Sequence, residues 1–221
     1  MSLLDSAWSL ADAWPVAESS IAVVHRDGVD THGNMDRRQR IASLSKPLSA
    51  YAVLIAIEEG SVHLEDAVGQ TGCTVRHLLA HAGGYAFEGA APVGKPGVKR
   101  IYSNTGYDML AQHVEHSTGI AFVEYLDDAV FAPLGMHHSA LEGSCAKDVH
   151  STTHDLVQFV NELRSPTLIA HETYMEAVMP VFPELAGVVP GLSSFDPCPW
   201  GLGFEIRGQK SPHWTSARNS S

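Results

Sequence analysis

Apolar residues recur along the chain at two periods, and the switches between those periods mark out its elements. Leu3, Leu4, Ala7, Trp8, Ala11 and Trp14 fall on one helical stripe, which Pro15 ends. Residues 21–25 and 30–33 read as strands on either side of Asp27-Gly28, a turn pair that predicts a tight hairpin. The most apolar helical segment runs from Ser43 to about Glu59, with Gly60 as its C-cap. Short helices are expected over 75–81, 105–118 and 120–131, the last two parted by Gly119. Thr152-Thr153-His154-Asp155 resembles a capping box and opens a helix to about Leu163.

Between these periodic stretches the punctuation is dense. Residues 82–101 are rich in Gly, Pro and Ala and read as an exposed loop. Residues 180–199 hold five prolines and two glycines, which predicts a long irregular connection. A strand is expected over 202–206, around Gly203, with a turn at Gly208. The resulting order is helix, hairpin, long helix, helical insert, strand, which makes an α+β domain with an inserted lobe. The boundaries expected are 1–60 for an α/β lobe, 61–195 for a mainly helical insert and 196–221 for the return to the first lobe.

Composition narrows the classes of function. The chain has 221 residues, 44% of them hydrophobic and 18% charged, as in a globular domain with a sizeable core. Its formal net charge of −11 argues against a nucleic-acid or anionic-membrane partner. No apolar run approaches the roughly 18 residues that a membrane-spanning helix needs. Asp5 and Asp12 precede the first basic residue, Arg26, unlike a secretory signal, so a cytoplasmic protein is expected, with an exported form left open. The odd, widely spaced set Cys73, Cys145 and Cys198 suggests buried thiols rather than a disulfide framework.

Two short stretches could carry chemistry. In Ser43-Leu44-Ser45-Lys46 the serine and lysine lie three apart, on one helical face. A serine hydroxyl needs an adjacent base to become a nucleophile, and a lysine serves once burial lowers its pKa toward neutrality. The plain alternative is an N-cap serine followed by a solvated lysine, but Lys46 sits in an otherwise apolar segment. The second stretch is Tyr102-Ser103-Asn104. A phenol facing a lysine and a serine can relay a proton, and an asparagine amide can grip an ester or amide substrate. Here the alternative is a capping Asn104 beside a packed Tyr102.

These stretches occur in order with others: Glu58-Glu-Gly followed by Leu64-Glu-Asp66, VRHLLAHAGG over 75–84, YSNTGY over 102–107 and FAPLGM over 131–136. From about residue 20 to 207 the set resembles the class C β-lactamase-related serine hydrolases, which include β-lactamases, D,D-peptidases (penicillin-binding proteins) and esterases. The resemblance implies a β-lactamase/D,D-peptidase-like fold, an antiparallel sheet flanked by helices. It implies that Ser43 is the acylated nucleophile and Lys46 its partner in deprotonation. Tyr102 would be base and proton relay, Asn104 a substrate contact, and the Ser43 backbone N–H half of the oxyanion hole. His81 reads as a structural histidine paired with backbone.

One family mark is not found. The third motif, Lys-Thr-Gly or His-x-Gly on the strand beside the nucleophile, has no clean copy; His213-Trp214-Thr215 has the histidine without the glycine. The resemblance leads to the expectation that this motif, further strands and a terminal helix would follow the last residue. The function expected is hydrolysis of an ester, amide or β-lactam carbonyl through an acyl-enzyme, with a tilt toward esterase-like substrates. The alternative is a non-catalytic, penicillin-binding-like relative. A small-molecule substrate and no cofactor are expected, and the oligomeric state is left open. No metal site is expected either. His77 and His81 have i, i+4 spacing, but Leu78 stands where a zinc metalloprotease helix carries glutamate.

Overall fold

The computed structural model describes residues 3–213. Its centre is helix α2 (Ser45–Glu58), in which eleven of fourteen residues are buried. A helix so enclosed must be apolar on every side, and Leu48, Tyr51, Val53, Leu54 and Ile55 supply that surface. Before it come α1 (Leu3–Asp12) and the antiparallel hairpin β1 (Ser20–His25) and β2 (Gly28–Gly33). Trp8 of α1 stacks on His32 of β2, and Asp12 bonds the same imidazole. Trp14, expected on the packed stripe, is 53% exposed beyond the end of the helix.

The middle of the chain wraps α2 in helices. These are α3 (Val75–Leu79), α4 (Asn104–Thr118), α5 (Phe122–Leu126, prolonged by a π turn over Asp127–Phe131), α6 (Thr153–Arg164) and α7 (His171–Val178). Gly119 ends α4 at φ 75°, a left-handed C-cap that suits glycine. The Thr152 hydroxyl accepts from the Asp155 N–H and starts α6, as the capping box implies. From there α6 runs back to the hairpin, where Ser20 and Thr153 share a hydrogen bond and Arg164 donates to the His25 carbonyl. The buried Tyr51 hydroxyl of α2 donates to Glu162 of α6.

Among the described residues, three small sheets complete the architecture. Besides the hairpin, β3 (Gln39–Arg40), β6 (Val149–Ser151) and β5 (Ala140–Leu141) form an antiparallel sheet in the order β3-β6-β5. In the third, β4 (Arg100–Ile101) pairs parallel with β7 (Gly187–Val189), which pairs antiparallel with β8 (Ser193–Phe195). The α+β class therefore holds, with two antiparallel sheets and one mixed one. Among the described residues no helix is long and apolar enough to cross a membrane.

Several local expectations change. The proline-rich stretch is not irregular throughout, because β7 and β8 form a hairpin within it. Helix α7 and strands β3, β5 and β6 were not legible from periodicity. No strand forms over 202–206; the chain doubles back, with an isolated bridge between Trp200 and Glu205. The reason is Gly203, at φ 96°, whose missing side chain lets the backbone press on α2: a Cβ there would lie 2.2 Å from the Ala50 Cβ. Arg100 closes the expected loop yet is 1% exposed. Its guanidinium donates to the carbonyls of Ala80, Val181, Phe182 and Cys198, tying β4 to the segment that carries the third sheet.

Candidate active site

The four residues singled out from the sequence converge at the head of α2. Ser43 lies in a 3-10 turn (Ala42–Leu44) just before the helix, rather than in it. Ala42 holds φ 48°, a left-handed conformation unusual for a residue with a side chain. The Ser45 hydroxyl braces this turn by donating to the Ala42 carbonyl, while accepting from the Val149 N–H of β6. Pro47 stands in the first helical turn, where a missing N–H leaves no helical bond unmade. Ser43 is exposed at the mouth of a cavity of about 570 Å³, while Lys46 lies in its wall at 2% exposure.

Lys46 is a buried cation among mostly neutral acceptors. Its Nζ donates to Asn104 Oδ1 at 2.5 Å, to the Ala146 carbonyl at 3.0 Å and to Ser43 Oγ at 3.4 Å. It also stands over the Tyr102 ring, 4.5 Å from the centroid. Desolvation lowers its pKa from 10.5 to about 8, against the pull of Cys145, Asp108 and Glu88. Free amine is thus available under mildly alkaline conditions, beside a hydroxyl it can deprotonate.

Tyr102 is shifted the other way. Burial raises the pKa of its phenol, only partly opposed by a hydrogen bond with the Ser43 side chain. Of the two candidate bases, Lys46 is therefore the one that reaches its free-base form first, and Tyr102 stands as a neutral phenol. Its ring is fixed by His81, Phe87 and Trp200. His81 accepts from the Ser103 N–H through Nδ1, in keeping with the backbone pairing expected. Its pKa falls well below 6.5 through complete burial, with Lys46 and Arg100 adding to the effect. His77, four residues earlier, stacks on Phe182 and shares a hydrogen bond with Thr74.

Asn104, expected to touch substrate, is the first residue of α4, just after the N-cap Ser103. It does not line the cavity. Its amide is engaged at both ends, the oxygen by Lys46 and the nitrogen by Glu88 Oε1 at 2.8 Å. Because a lysine can only donate and a carboxylate can only accept, the amide orientation follows from its partners. His213 does not line the cavity either; its Nε2 lies 2.9 Å from Oε1 of Glu205, which does. Trp214 and Thr215 lie outside the described residues.

Sequence reasoning missed most of the cavity. Val189, Pro190, Trp200, Phe204 and Glu205 line it from stretches read as connection or strand. Nothing local marks them, since they reach Ser43 only through the parallel pairing of β4 with β7 and the fold-back at Gly203.

The fold and this arrangement of serine, lysine and tyrosine define a class. The family model described as Beta-lactamase matches residues 16–218, and the chain belongs to that family. Among solved structures it resembles a β-lactamase from Mycobacterium bovis, with 42% identity, a TM-score of 0.93, and coverage of 96% of this chain and 79% of that one. A D-amino acid amidase from Ochrobactrum anthropi SV3 shares the fold at 21% identity and a TM-score of 0.74, over 91% of this chain and 80% of its own. Penicillin-binding protein 4* of Bacillus subtilis (strain 168) is 29% identical over 132 residues, which are 45% of this chain and 29% of that protein. The match thus spans less than a third of that curated relative.

Proposed function

We propose that the chain is a serine hydrolase that cleaves an ester, amide or β-lactam carbonyl through an acyl-enzyme on Ser43. One observation carries the reading: an exposed serine lies 3.4 Å from a buried lysine whose pKa is lowered to about 8. Lys46 takes the Ser43 proton as Oγ attacks the carbonyl carbon. The oxyanion of the tetrahedral intermediate is met by the Ser43 backbone N–H. Collapse of that intermediate breaks the bond to the leaving group, which receives a proton through the Tyr102 phenol. Water then attacks the acyl-enzyme, its proton passing along the same Tyr102–Lys46 relay; the bond between the acyl carbon and Ser43 Oγ breaks, the acid product leaves and Oγ takes that proton back.

The cavity supports a small, largely uncharged substrate. Leu44, Pro47, Phe87, Val189 and Phe204 give it apolar walls, and Glu205 stands at its edge. Apolar walls with a few convergent polar groups are the usual form of a small-molecule site. This arrangement favours an ester-like substrate over one bearing a carboxylate, and rapid β-lactam turnover is not expected.

Intact-mass spectrometry with a fluorophosphonate and, separately, a penicillin tests the proposal. A single adduct mapped to Ser43 is expected from the fluorophosphonate. No adduct from either reagent, on a folded chain, would overturn the reading in favour of a binding relative.

A further inference from the structure

A surface carboxylate reaches into the site from behind. Glu88 belongs to the connection between α3 and β4, and the segment around it is pinned to the start of α4. Ala86 O accepts from the Ser103 hydroxyl, Phe87 O from the Asn104 N–H, and Gly89 O from the Thr105 hydroxyl. Glu88 Oε1 therefore meets Asn104 Nδ2 at 2.8 Å from a held backbone rather than from a free tip. The same oxygen accepts from Lys147 Nζ at 2.5 Å. Lys147 sits in the turn between Ser144 and Asp148, next to Ala146, whose carbonyl also accepts from Lys46.

Both neutral acceptors that grip Lys46 from behind Ser43 thus lead to one carboxylate, Asn104 Oδ1 directly and Ala146 O through Lys147. We propose that Glu88 is a positioning residue for this hydrolase, orienting the Asn104 amide and clamping the Ala146 turn so that Lys46 is held toward Ser43. The assignment rests on the serine-hydrolase reading above, and it adds a group that touches neither the cavity nor Ser43.

The electrostatic consequence is directional. The groups facing Lys46 are Glu88, Asp108 and Cys145, which favour its ammonium, Lys147, which disfavours it, and His81, Tyr102 and Tyr107 around it. Removing the Glu88 charge must ease deprotonation of Lys46, and removing the Lys147 charge must oppose it.

The test follows the Lys46 side chain by NMR of 13Cε-lysine, which reports its protonation without turnover, in the wild type, Glu88→Ala, Glu88→Gln and Lys147→Met. The rate of Ser43 labelling by a fluorophosphonate against pH is measured in parallel. Both Glu88 variants are expected to titrate lower at Lys46 by roughly half a pH unit, and Lys147→Met higher. The labelling plateau should fall roughly tenfold in Glu88→Ala and recover in Glu88→Gln, whose amide oxygen can still accept from Asn104. A Lys46 titration unchanged in all three variants, or full labelling by Glu88→Ala, would overturn the assignment. Should the wild type not label at all, the hydrolase reading falls, and the opposite NMR shifts alone decide the role of Glu88.

Discussion

At the residue scale the site sets two ionisable groups apart. Desolvation brings the Lys46 ammonium down to about 8, while the same desolvation pushes the Tyr102 phenol up. Below pH 8 the amine is protonated and cannot accept the Ser43 proton. Acylation should therefore rise about tenfold per pH unit and level off above pH 8, as a stopped-flow pH profile with an activated ester would show. Ser43→Ala should abolish covalent labelling with an unchanged circular dichroism spectrum, since the residue is exposed. Lys46→Ala should lower acylation by on the order of 10³-fold or more; a loss below about tenfold would make Lys46 a structural cation. Tyr102→Phe keeps the ring contacts with His81, Phe87 and Trp200 but loses the hydrogen bond with the Ser43 side chain and, on the proposed mechanism, the relay. Its melting temperature should hold while labelling slows on the order of 10²-fold or more.

At the scale of elements the site depends on close approach to α2. The helix brings Lys46 into the interior because apolar neighbours surround it on every side, and the 3-10 turn before it leaves Ser43 outside. The segment carrying Trp200, Phe204 and Glu205 reaches this helix only because residue 203 has no side chain. Gly203→Ala would place a methyl group against Ala50 and strain a backbone at φ 96°. A destabilisation of about 2–4 kcal/mol is expected from the two effects, together with a displaced cavity wall. Urea unfolding and labelling of the same variant check both consequences, and an unchanged unfolding midpoint would refute them.

Across the whole molecule a buried carboxylate links the central helix to the returning chain. Glu162 of α6 accepts from the Tyr51 hydroxyl of α2, from the Thr167 and Leu168 N–H groups and from the Thr167 hydroxyl. Burial alone would raise its pKa, but these bonds outweigh it and hold the carboxyl below its ordinary 4.5. A depressed carboxylate contributes stability that is complete above its unfolded pKa, about 4.3, and is lost as the pH falls through the folded value. Thermal unfolding should show the loss below about pH 4.5. Glu162→Gln should be less stable at pH 7 and show a flatter dependence in that acid window.

The sequence by itself determined the local elements and the short-range chemistry. The hairpin at Asp27-Gly28, the Gly60 and Gly119 stops, the Thr152 cap and the pairing of Ser43 with Lys46 all depend on neighbours within a few residues, and periodicity and capping report such neighbours directly. Tyr102 and Asn104 were legible as a phenol beside an amide, a reading their resemblance to a family motif strengthened, though Asn104 lies behind Lys46 rather than in the cavity wall. Only the tertiary structure decided the burial of Arg100, the hairpin in the proline-rich stretch, the fold-back at Gly203 and the reach of Glu88 to Asn104. Apart from the hairpin, whose strands pair within eight residues, these features depend on contacts between residues that lie from 16 to 153 positions apart. No local pattern encodes such pairings, because they form only when separate elements close on one core.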